Sequence, residues 1–399
     1  MPARSDGTHP PALGSGEGTE VDVLSDVLRT VRLTGTLFFP METSSPWVDE
    51  VPAATTLAPI VLPGAQHVVS YHIVTEGACW ATLLGGRPVH LEAGDILVIP
   101  HGDPYAMSSA PGLRSEAPAD AVLTFFRQMA TGGLPSVVVE GGGGPERAKI
   151  ICGFLGCDIR PFNPVLETLP RLVHVRRPSA SSADDRLGHV IEFALAESRQ
   201  RRSGGLCVLL RLSEVLFVEV VRRYVDGLPA GPTGWLAGLR DPMVGHAIAL
   251  LHDRPAHSWT LERLAKDVGV SRSTLADRFT KFVGQPPMRY LAHWRMQLAA
   301  RLLSDGTAKV SAVALDVGYD SEAAFSRAFK KIAGMAPAAW RQSPTGAEQP
   351  TPRTGVERGN RAAVAPVVAE EPETRRPSKP PGHQGRRRTR RVRYRRRSR

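Results

Sequence analysis

Two sets of polar side chains recur at helical spacing in the C-terminal half of this 399-residue chain. The first set is Arg272, Ser273 and Asp277, and the second contains Arg327 and Lys330. Guanidinium, ammonium, hydroxyl and carboxylate groups hydrogen-bond base edges and phosphates in DNA grooves. The candidate chemistry is therefore nucleic-acid recognition, provided that each set lies on a helix that can enter a groove.

The elements that would position these side chains are written twice in the sequence. The copies are L-A-K-D-V-G-V-S, ending at Ser271, and V-A-L-D-V-G-Y-D-S, ending at Ser321, with the same A-x3-G spacing. Each copy predicts a helix, a glycine turn with positive φ, and a second helix capped by the serine. Thr260 and Ser311 are predicted to cap the first helices. The internal repeat indicates two helix-turn-helix units.

The second helix of each unit should present a polar face. Its apolar face is predicted to bury Leu275, Phe279 and Phe282 in the first unit and Phe325, Phe329 and Ile332 in the second. Residues assigned to DNA contact are Arg272, Ser273, Ala276 and Asp277 in the first unit, and Ser321, Glu322, Ala323, Arg327 and Lys330 in the second. A long helix predicted from Met288 to Leu303 would hold the units roughly one helical turn of DNA apart.

The run V-G-Y-D-S-E-A-A-F-S-R-A-F-K-K-I-A-G-M-A-P, with W-R-M-Q-L-A-A-R-L-L before it, closely resembles the C-terminal domain of AraC/XylS-type bacterial transcription regulators. The resemblance implies base-reading positions at Ser273, Ala276, Asp277, Ala323 and Arg327. The alanine side chain cannot hydrogen-bond a base edge, so direct readout is expected to rest on Arg327. Arg272, Ser273 and Asp277 are expected to help, together with apolar contacts to thymine methyl groups.

The segment from Leu33 to about Val175 is typical of a small β-barrel. Short apolar runs separated by glycine and proline predict strands, including 67–75, 79–84, 90–100 and 149–155, with a turn at Glu76-Gly77. The run from Glu76 to Gly102 resembles a cupin half-repeat, in which Gly94-Asp95 makes the turn before a strand. Cupin-like sensor domains are frequent N-terminal partners of the regulators named above.

A metal site in the barrel is disfavoured by the histidine spacing. His67 and His72 are five residues apart, so on one strand they lie on opposite faces. His72 shares its face with Glu76, and His101 could join them across the barrel, but the tight H-x-H pair of cupins is missing. We expect no metal and no cofactor. A cupin-type enzyme is the alternative function, and it lacks any nucleophile–base pair in the sequence.

The cysteines suggest a redox hypothesis. Cys79 lies beside a tryptophan, and Cys152 and Cys157 follow a G-G-G-G loop. Oxidation of one or more of these thiols could change DNA binding. The favoured interpretation is that Cys79 and Cys152 are small apolar core residues, as free cysteines usually are. Four cysteines in all, including Cys207, do not indicate a disulfide scaffold.

From Asp184 the pattern becomes helical. Two runs, 186–200 and 205–225, are separated by Arg201–Gly205, and the second is too apolar for a single core stripe. Its apolar positions are Leu206, Leu209, Leu210, Leu212, Val215, Leu216, Val218 and Val221. Either this surface is buried on the barrel or it pairs with a second copy. We predict a helical hairpin that mediates a homodimer, as the family resemblance also implies.

Both ends of the chain differ from the rest. The N-terminal segment has no apolar signal core, and no apolar run reaches the ~18 residues of a membrane span. The C-terminal segment ends in Arg386 to Arg399, with ten arginines and no acid, which supplies nearly all of the formal net charge of +11. This tail is expected to add sequence-independent phosphate contacts, or to have no selected role.

These observations predict a multidomain α+β protein with a cupin-like β-barrel, a helical dimerisation hairpin and an all-α domain with two helix-turn-helix units. The predicted boundaries are a disordered lead at 1–20, a sensor domain at 21–182, a dimerisation region at 183–226, a linker at 227–237, a DNA-binding domain at 238–342 and a disordered tail at 343–399.

The predicted function is that of a cytoplasmic, homodimeric, sequence-specific transcription regulator, an activator or a repressor, that is not an enzyme. The expected partners are double-stranded DNA and a small-molecule or redox effector, with RNA polymerase as a further candidate and no membrane. A non-specific nucleic-acid binder driven by the arginine tail is the remaining alternative.

Overall fold

The computed structural model describes residues 22–30, 33–135, 137–176, 186–200, 202–228 and 234–342. These residues fall into two compact units. The helical unit takes those within Met1–Arg32, Pro161–Thr168 and Leu228–Ala328, and the sheet-rich unit takes those within Leu33–Arg160, Leu169–Gly227 and Phe329–Arg399. The predicted lead and the arginine-rich tail lie outside the described residues.

The sheet-rich unit is a curled, cupin-like half-barrel. Its strands are β1 (Leu33–Ser44), β2 (Val48–Val51), β3 (His67–Leu83), β4 (Val89–Glu92), β5 (Ile96–Ile99), β6 (Tyr105–Ser108), β7 (Val138–Gly141), β8 (Arg147–Cys157) and β9 (Val173–Val175). They form one nine-stranded sheet, whose main path runs β2-β6-β3-β8-β1-β7. The long antiparallel pairing of β3 with β8 brings His72 opposite Cys152.

Among the described residues, the helices α2 (Ala54–Val61), α3 (Ala119–Ala130), α5 (Arg186–Gln200) and α6 (Gly205–Asp226) belong to the sheet-rich unit. Strand β3 is buried on both faces. Val68, His72 and Val74 are buried on the inner side, and Val69, Tyr71 and Ile73 lie opposite α6. Burial on both faces explains the continuous apolar run in the sequence, where a half-exposed strand would alternate.

Two sequence predictions for this region are wrong in detail. Residues 67–75 and 79–84 lie in the single strand β3, and the predicted turn at Glu76-Gly77 is a register shift between Val74 and Glu76. Gly77 has a φ of 72°, and a side chain there would collide with the Arg147 carbonyl of β8. The strand therefore bends at Gly77 and continues to pair on both sides of it. Helices α2 and α3 also interrupt the segment that the sequence suggests to be all β.

Part of the apolar surface of the helical hairpin α5–α6 packs on the sheet. Leu209, Leu216 and Val221 are buried, whereas Val215 is 44% exposed. The Ser213 hydroxyl fixes the helix, because it lies 3.2 Å from the Tyr71 hydroxyl and 3.1 Å from the Thr36 hydroxyl. One stripe of α6 is therefore core against the sheet, and another stripe remains exposed.

The other helices are α1 (Val23–Thr30), α4 (Pro164–Thr168), α7 (Trp235–Arg240), α8 (Pro242–Asp253), α9 (Leu261–Val268), α10 (Arg272–Val283), α11 (Pro287–Asp305), α12 (Val310–Asp316), α13 (Glu322–Ala333) and α14 (Pro337–Gln342). Helix α7 begins inside the predicted linker, where Trp235 is 1% exposed.

The core of the helical unit is aromatic, and the Tyr290 hydroxyl joins two of its other rings by hydrogen bonds. The Tyr290 hydroxyl accepts from the Trp235 indole N–H at 2.9 Å and lies 2.8 Å from His252 Nε2. The His252 ring stacks on Trp294 with centroids 4.0 Å apart. Burial lowers the pKa of His252 to about 3, so this ring is neutral and acts as a core residue.

Candidate nucleic-acid interface

The first predicted helix-turn-helix unit is formed by α9 and α10. The Thr260 side chain accepts from the Arg263 amide at 3.2 Å, and α9 ends at Val268, followed by Gly269, whose φ is 81°. The Ser271 hydroxyl then accepts from the Thr274 amide at 3.2 Å and starts α10. The caps and the turn are thus as predicted, because serine and threonine satisfy the first amides of a helix and glycine adopts positive φ without strain.

Helix α10 buries Leu275 and Phe279, whereas Phe282, which was predicted to be buried, is half-buried. Of the predicted contact residues, Arg272, Ser273 and Asp277 are exposed and Ala276 is half-buried. Arg272 has a partner within the unit, since its Nη1 lies 2.6 Å from Glu262 Oε1 on α9. This surface pair would have to exchange for a phosphate or base contact in a DNA complex.

Arg278 is a positioning residue that the sequence analysis missed. Its guanidinium pairs with both carboxylate oxygens of Asp241 at 2.5 to 3.1 Å. Asp241 also caps α8, because it accepts from the amides of Met243 and Val244. Burial alone raises the pKa of Asp241, but the Arg278 hydrogen bonds and the cap amides outweigh it and hold that pKa below its usual value. The predicted recognition helix is thereby tied to the start of α8.

The second unit repeats the same geometry in α12 and α13. Gly318 has a φ of 83°, and the Ser321 hydroxyl accepts from the Ala324 amide at 3.2 Å. The predicted Ser311 cap is wrong, because α12 begins at Val310 and its cap position, Lys309, makes no side-chain cap bond. The Val313–Ala314 pair is fully buried and fixes this helix by packing.

The polar face of α13 is open in the described structure. The predicted contact residues Ser321, Glu322, Ala323, Arg327 and Lys330 are all exposed. Phe325 and Phe329 are fully buried on the opposite face, and Ile332 is half-buried. Helix α13 therefore presents one apolar face to the fold and one polar face to solvent, which is the arrangement that groove binding requires.

The side chain of Arg295 on α11, the Arg295 clamp, connects the two helix-turn-helix units. Its Nε donates to the Pro255 carbonyl at 2.7 Å and its Nη2 donates to the His257 carbonyl at 2.8 Å, both in the loop before α9. Its Nη1 donates to the Gly318 carbonyl at 3.1 Å, in the turn of the second unit. The guanidinium also lies 5.8 Å from the centroid of the Tyr319 ring. The planar Arg295 guanidinium thus holds the turn of the second helix-turn-helix unit next to the loop that leads into the first.

Two segments that the sequence places in the sensor domain lie within the helical unit. The buried Gln297 side chain of α11 joins them, because its Oε1 accepts from the Phe162 amide at 3.0 Å and its Nε2 donates to the Thr30 carbonyl at 3.4 Å. Arg301 Nη1 donates to the Arg29 carbonyl at 2.9 Å. A single glutamine at a helical position gives no sequence signal for such a contact.

The interior of the half-barrel contains a small buried polar network. His72 Nδ1 lies 3.1 Å from Cys152 Sγ, and His72 Nε2 lies 2.6 Å from the Tyr105 hydroxyl. Burial lowers the pKa of His72 to about 3 and raises the pKa of Tyr105 and of Cys152. All three groups are therefore neutral at pH 7.

The other candidate ligands for a metal are dispersed. His67 Nε2 lies 2.6 Å from the Pro100 carbonyl, and His101 Nε2 lies 2.8 Å from the Leu169 carbonyl. Glu76 pairs with Lys149 at 2.9 Å. No group of three His, Cys, Asp or Glu side chains in the described part of the chain could hold a metal ion.

The surroundings of the cysteines support their interpretation as core residues. Cys79, Cys152 and Cys157 are buried, and burial raises the pKa of each, to about 12 for Cys79. A thiol reacts with oxidants as the thiolate, which this environment disfavours. Cys207 on α6 is exposed. Redox sensing by the three buried thiols therefore stays a hypothesis without structural support.

A cleft opens between the inner face of the half-barrel and α3. Its floor contains His72 and Cys152, and its empty volume, counted out to solvent, is about 670 Å³. The loop leading to α3 is held by Glu50, which pairs with Arg114 at 2.5 Å and accepts from the Ser115 amide at 3.1 Å.

The fold defines a class of protein. It combines a half-barrel that has an internal cleft with a helical region that has two helix-turn-helix units. Comparison with known proteins agrees with both parts. A family model described as Cupin matches residues 22–226, and one described as Helix-turn-helix domain matches residues 264–343.

Relatives named AraC-like transcription regulators match most of the chain. One from Streptomyces lividans is 36% identical over 286 residues, covering 70% of this chain and 89% of the relative. One from Streptomyces antibioticus is 32% identical over 325 residues, covering 81% and 99%. The chain belongs to the AraC-like family of transcription regulators, with a cupin-like N-terminal domain and a helix-turn-helix DNA-binding domain.

Among solved structures, the chain is similar to the DNA-binding domain of AdpA in complex with a target DNA. That likeness has 31% sequence identity and a TM-score of 0.25, and it covers 25% of this chain and 90% of that one. Separately, no helix in the described residues is long and apolar enough to cross a membrane.

Proposed function

We propose that this protein is a cytoplasmic homodimer that reads a defined DNA sequence with α10 and α13 and responds to an effector bound in the half-barrel cleft. The observation that carries the proposal is the repeated unit: two capped helices with exposed polar faces, held by the connecting helix α11 and the Arg295 clamp. A fixed spacing between two such helices suits two successive major grooves.

Within this proposal, Arg327 makes the principal base contact. It is exposed on α13, and arginine bonds bidentately to guanine O6 and N7. Ser273 and Asp277 add contacts from α10, Ala276 and Ala323 accommodate thymine methyl groups, and Arg272 and Lys330 bind phosphates. RNA polymerase is a further proposed partner, and no catalytic step is assigned to the barrel.

The experiment that tests DNA reading is a selection of binding sequences from random DNA. The full chain and the chain ending at Gln342 should enrich the same motif, because the readout helices end before that residue. Arg327→Ala should cost about 1–3 kcal/mol and relax the preference at one base position. Removing the tail should weaken binding uniformly across sequences and make it less dependent on salt.

The matched control is Arg289→Ala, which removes an exposed arginine of α11 outside both recognition helices. It should retain the motif. If no motif is enriched and binding disappears with the tail, the protein is a non-specific nucleic-acid binder, and the proposal is wrong.

The homodimer is proposed to form through the exposed apolar residues of the α5–α6 hairpin. Phe193 is 54% exposed and Val215 is 44% exposed, whereas another stripe of α6 is buried against the sheet. The double variant Phe193→Glu with Val215→Glu should raise the dimer dissociation constant at least about tenfold, since it places charge in an apolar contact. Analytical ultracentrifugation over a concentration series measures this change.

Leu84→Glu is the matched control for the dimer. Leu84 is also 54% exposed in the sheet-rich unit, but it lies outside the hairpin. An unchanged dimer in the double variant, or equal weakening in Leu84→Glu, would show that the hairpin is not the interface.

A further inference from the structure

The walls of the half-barrel cleft are largely aromatic. Phe125 and Phe126 of α3, Phe39 of β1 and Phe154 of β8 line it. Their rings meet edge to face, with centroids 6.3 Å apart for Phe39–Phe125, 5.5 Å for Phe125–Phe126 and 5.7 Å for Phe126–Phe154. The other apolar lining includes Met41, Val51, Met107, Ala117 and Val122. A ligand on such a surface gains affinity mainly from burial of its apolar area.

The polar groups on the floor of the cleft are bonded to one another. His72 Nδ1 lies 3.1 Å from Cys152 Sγ, and His72 Nε2 lies 2.6 Å from the Tyr105 hydroxyl. Both ring nitrogens therefore have partners, and burial, which lowers the pKa of His72 to about 3, keeps the ring neutral at pH 7. This network accordingly supplies no charge that could pair with an ionised ligand.

The carboxylates of the lining are already engaged. Glu50 pairs with Arg114 and accepts from the Ser115 amide at 3.1 Å. Asp49 and Glu140 also have interactions of their own within the protein. The described lining residues contain no lysine or arginine. A cationic ligand would therefore have to displace partners that the acids already have, and an anionic ligand would find no lysine or arginine among the described lining residues.

We propose that the cleft binds an uncharged molecule with an aromatic or alkyl body, held by the phenylalanine walls and by the apolar side chains between them. This inference rests on the proposed function, since it names the chemical class of the effector. A neutral ligand leaves the floor network and the partners of the acids in place. An ionised ligand would lose its hydration in an apolar cleft whose described charged groups already have partners, and this loss lowers its affinity.

The test compares three probes that share one body and differ in charge. Calorimetric titration of the full chain at neutral pH uses 3-phenylpropan-1-ol, 3-phenylpropylamine and 3-phenylpropionate, and then the same three headgroups on an octyl chain. On each body that binds, the alcohol should bind at least about tenfold tighter than the amine and the carboxylate. A smaller difference on either body overturns the assignment of an uncharged ligand, and so does the absence of binding by both alcohols up to about 1 mM.

One pair of variants locates the ligand by filling the cleft. Val122 is a half-buried residue of α3 that lines the cleft, and Val122→Trp should abolish binding of the alcohols. Thr124→Trp is the matched control, because Thr124 is exposed on the same helix and is not among the described lining residues. It should bind the alcohols like the native protein. Retained alcohol binding in folded Val122→Trp, or an equal loss in Thr124→Trp, overturns the proposal.

A second pair of variants removes part of a wall and adds no bulk, so it serves even where Val122→Trp does not fold. Phe125 is half-buried on α3, and Phe125→Ala should weaken alcohol binding at least about tenfold, because the ligand loses the apolar area of the ring. Gln128→Ala shortens an exposed side chain of the same helix and should leave the affinity unchanged. Equal alcohol affinity in Phe125→Ala and Gln128→Ala overturns the proposal.

The proposed DNA reading and the proposed ligand class can fail separately. Selection of DNA sequences by the same protein reports on its function as a regulator, and the titrations report on ligand class. A protein that enriches a DNA motif and binds neither alcohol overturns only the ligand assignment. A protein that binds the alcohols and enriches no motif overturns only the proposed DNA reading.

Discussion

Gly318→Ala is expected to destabilise the second helix-turn-helix unit by about 3 kcal/mol, whereas Gly269→Ala should cost about 1 kcal/mol. The two glycines hold equivalent positions in the repeat and have nearly the same φ, 83° and 81°. A methyl group on Gly318 would lie 2.6 to 2.9 Å from backbone atoms of Ala256, whereas nothing lies within 4 Å of one on Gly269. Only Gly318 therefore adds a steric cost to the cost of positive φ.

Native-state hydrogen exchange on the full chain measures this difference, because a chain of two units does not unfold in one step. Peptides from α12 should lose protection in Gly318→Ala, and peptides from α9 should lose less in Gly269→Ala. Gly284→Ala, at a φ of 77° with open space around it, is a further control and should resemble Gly269→Ala. Equal losses at Gly269 and Gly318 would contradict the close approach to Ala256.

Arg295→Leu is expected to lower DNA affinity at least about tenfold and to destabilise the helical unit by roughly 3 kcal/mol. The substitution leaves the carbonyls of Pro255, His257 and Gly318 without their charged donor, and a hydrogen bond to a charged group contributes about 1.5–3 kcal/mol. The two recognition helices would also lose their fixed relation, which binding to two grooves requires. Titration of the selected DNA and hydrogen exchange of α9 and α12 provide the two measurements.

Two variants separate the geometry of the clamp from its charge. Arg295→Lys keeps the charge but cannot present three donors in one plane, so it should lie nearer to Arg295→Leu than to the native protein. Arg289→Ala removes a charge from the exposed surface of the same helix and should leave both measurements almost unchanged. If Arg295→Lys binds DNA like the native protein, the three carbonyl contacts do not position the units.

Much of the helix-turn-helix region could be predicted from local sequence. Thr260, Ser271 and Ser321 cap helices as expected, and Gly269 and Gly318 adopt positive φ. These features depend on residues within a few positions of one another, where capping and turn preferences are strong. The Ser311 cap failed because the helix that buries Val313 and Ala314 starts two residues earlier than predicted and leaves the serine inside it.

The half-barrel was less predictable. The bend at Gly77 looks like a turn in the sequence, and only the approach of the Arg147 carbonyl shows why the strand continues past it. Helix α3 lies between strand-like segments, and its Phe125 and Phe126 become cleft walls only because they face Phe39 and Phe154. Contacts over such sequence separations leave no periodic signal along the chain.

By itself, the sequence determined the class of protein: a repeated helix-turn-helix unit behind a strand-rich domain, with Arg327 and its neighbours on the polar face of the last recognition helix. Hydrophobic periodicity, helix caps and turns depend on residues that are close in the sequence, and both copies of the repeat contain them. The tertiary structure alone decided which of two equivalent glycines tolerates a methyl group, that Arg295 joins the two units, and that carboxylates line an aromatic cleft. Those properties depend on which distant backbone atoms and side chains approach one another, and packing fixes that approach only when the whole chain folds.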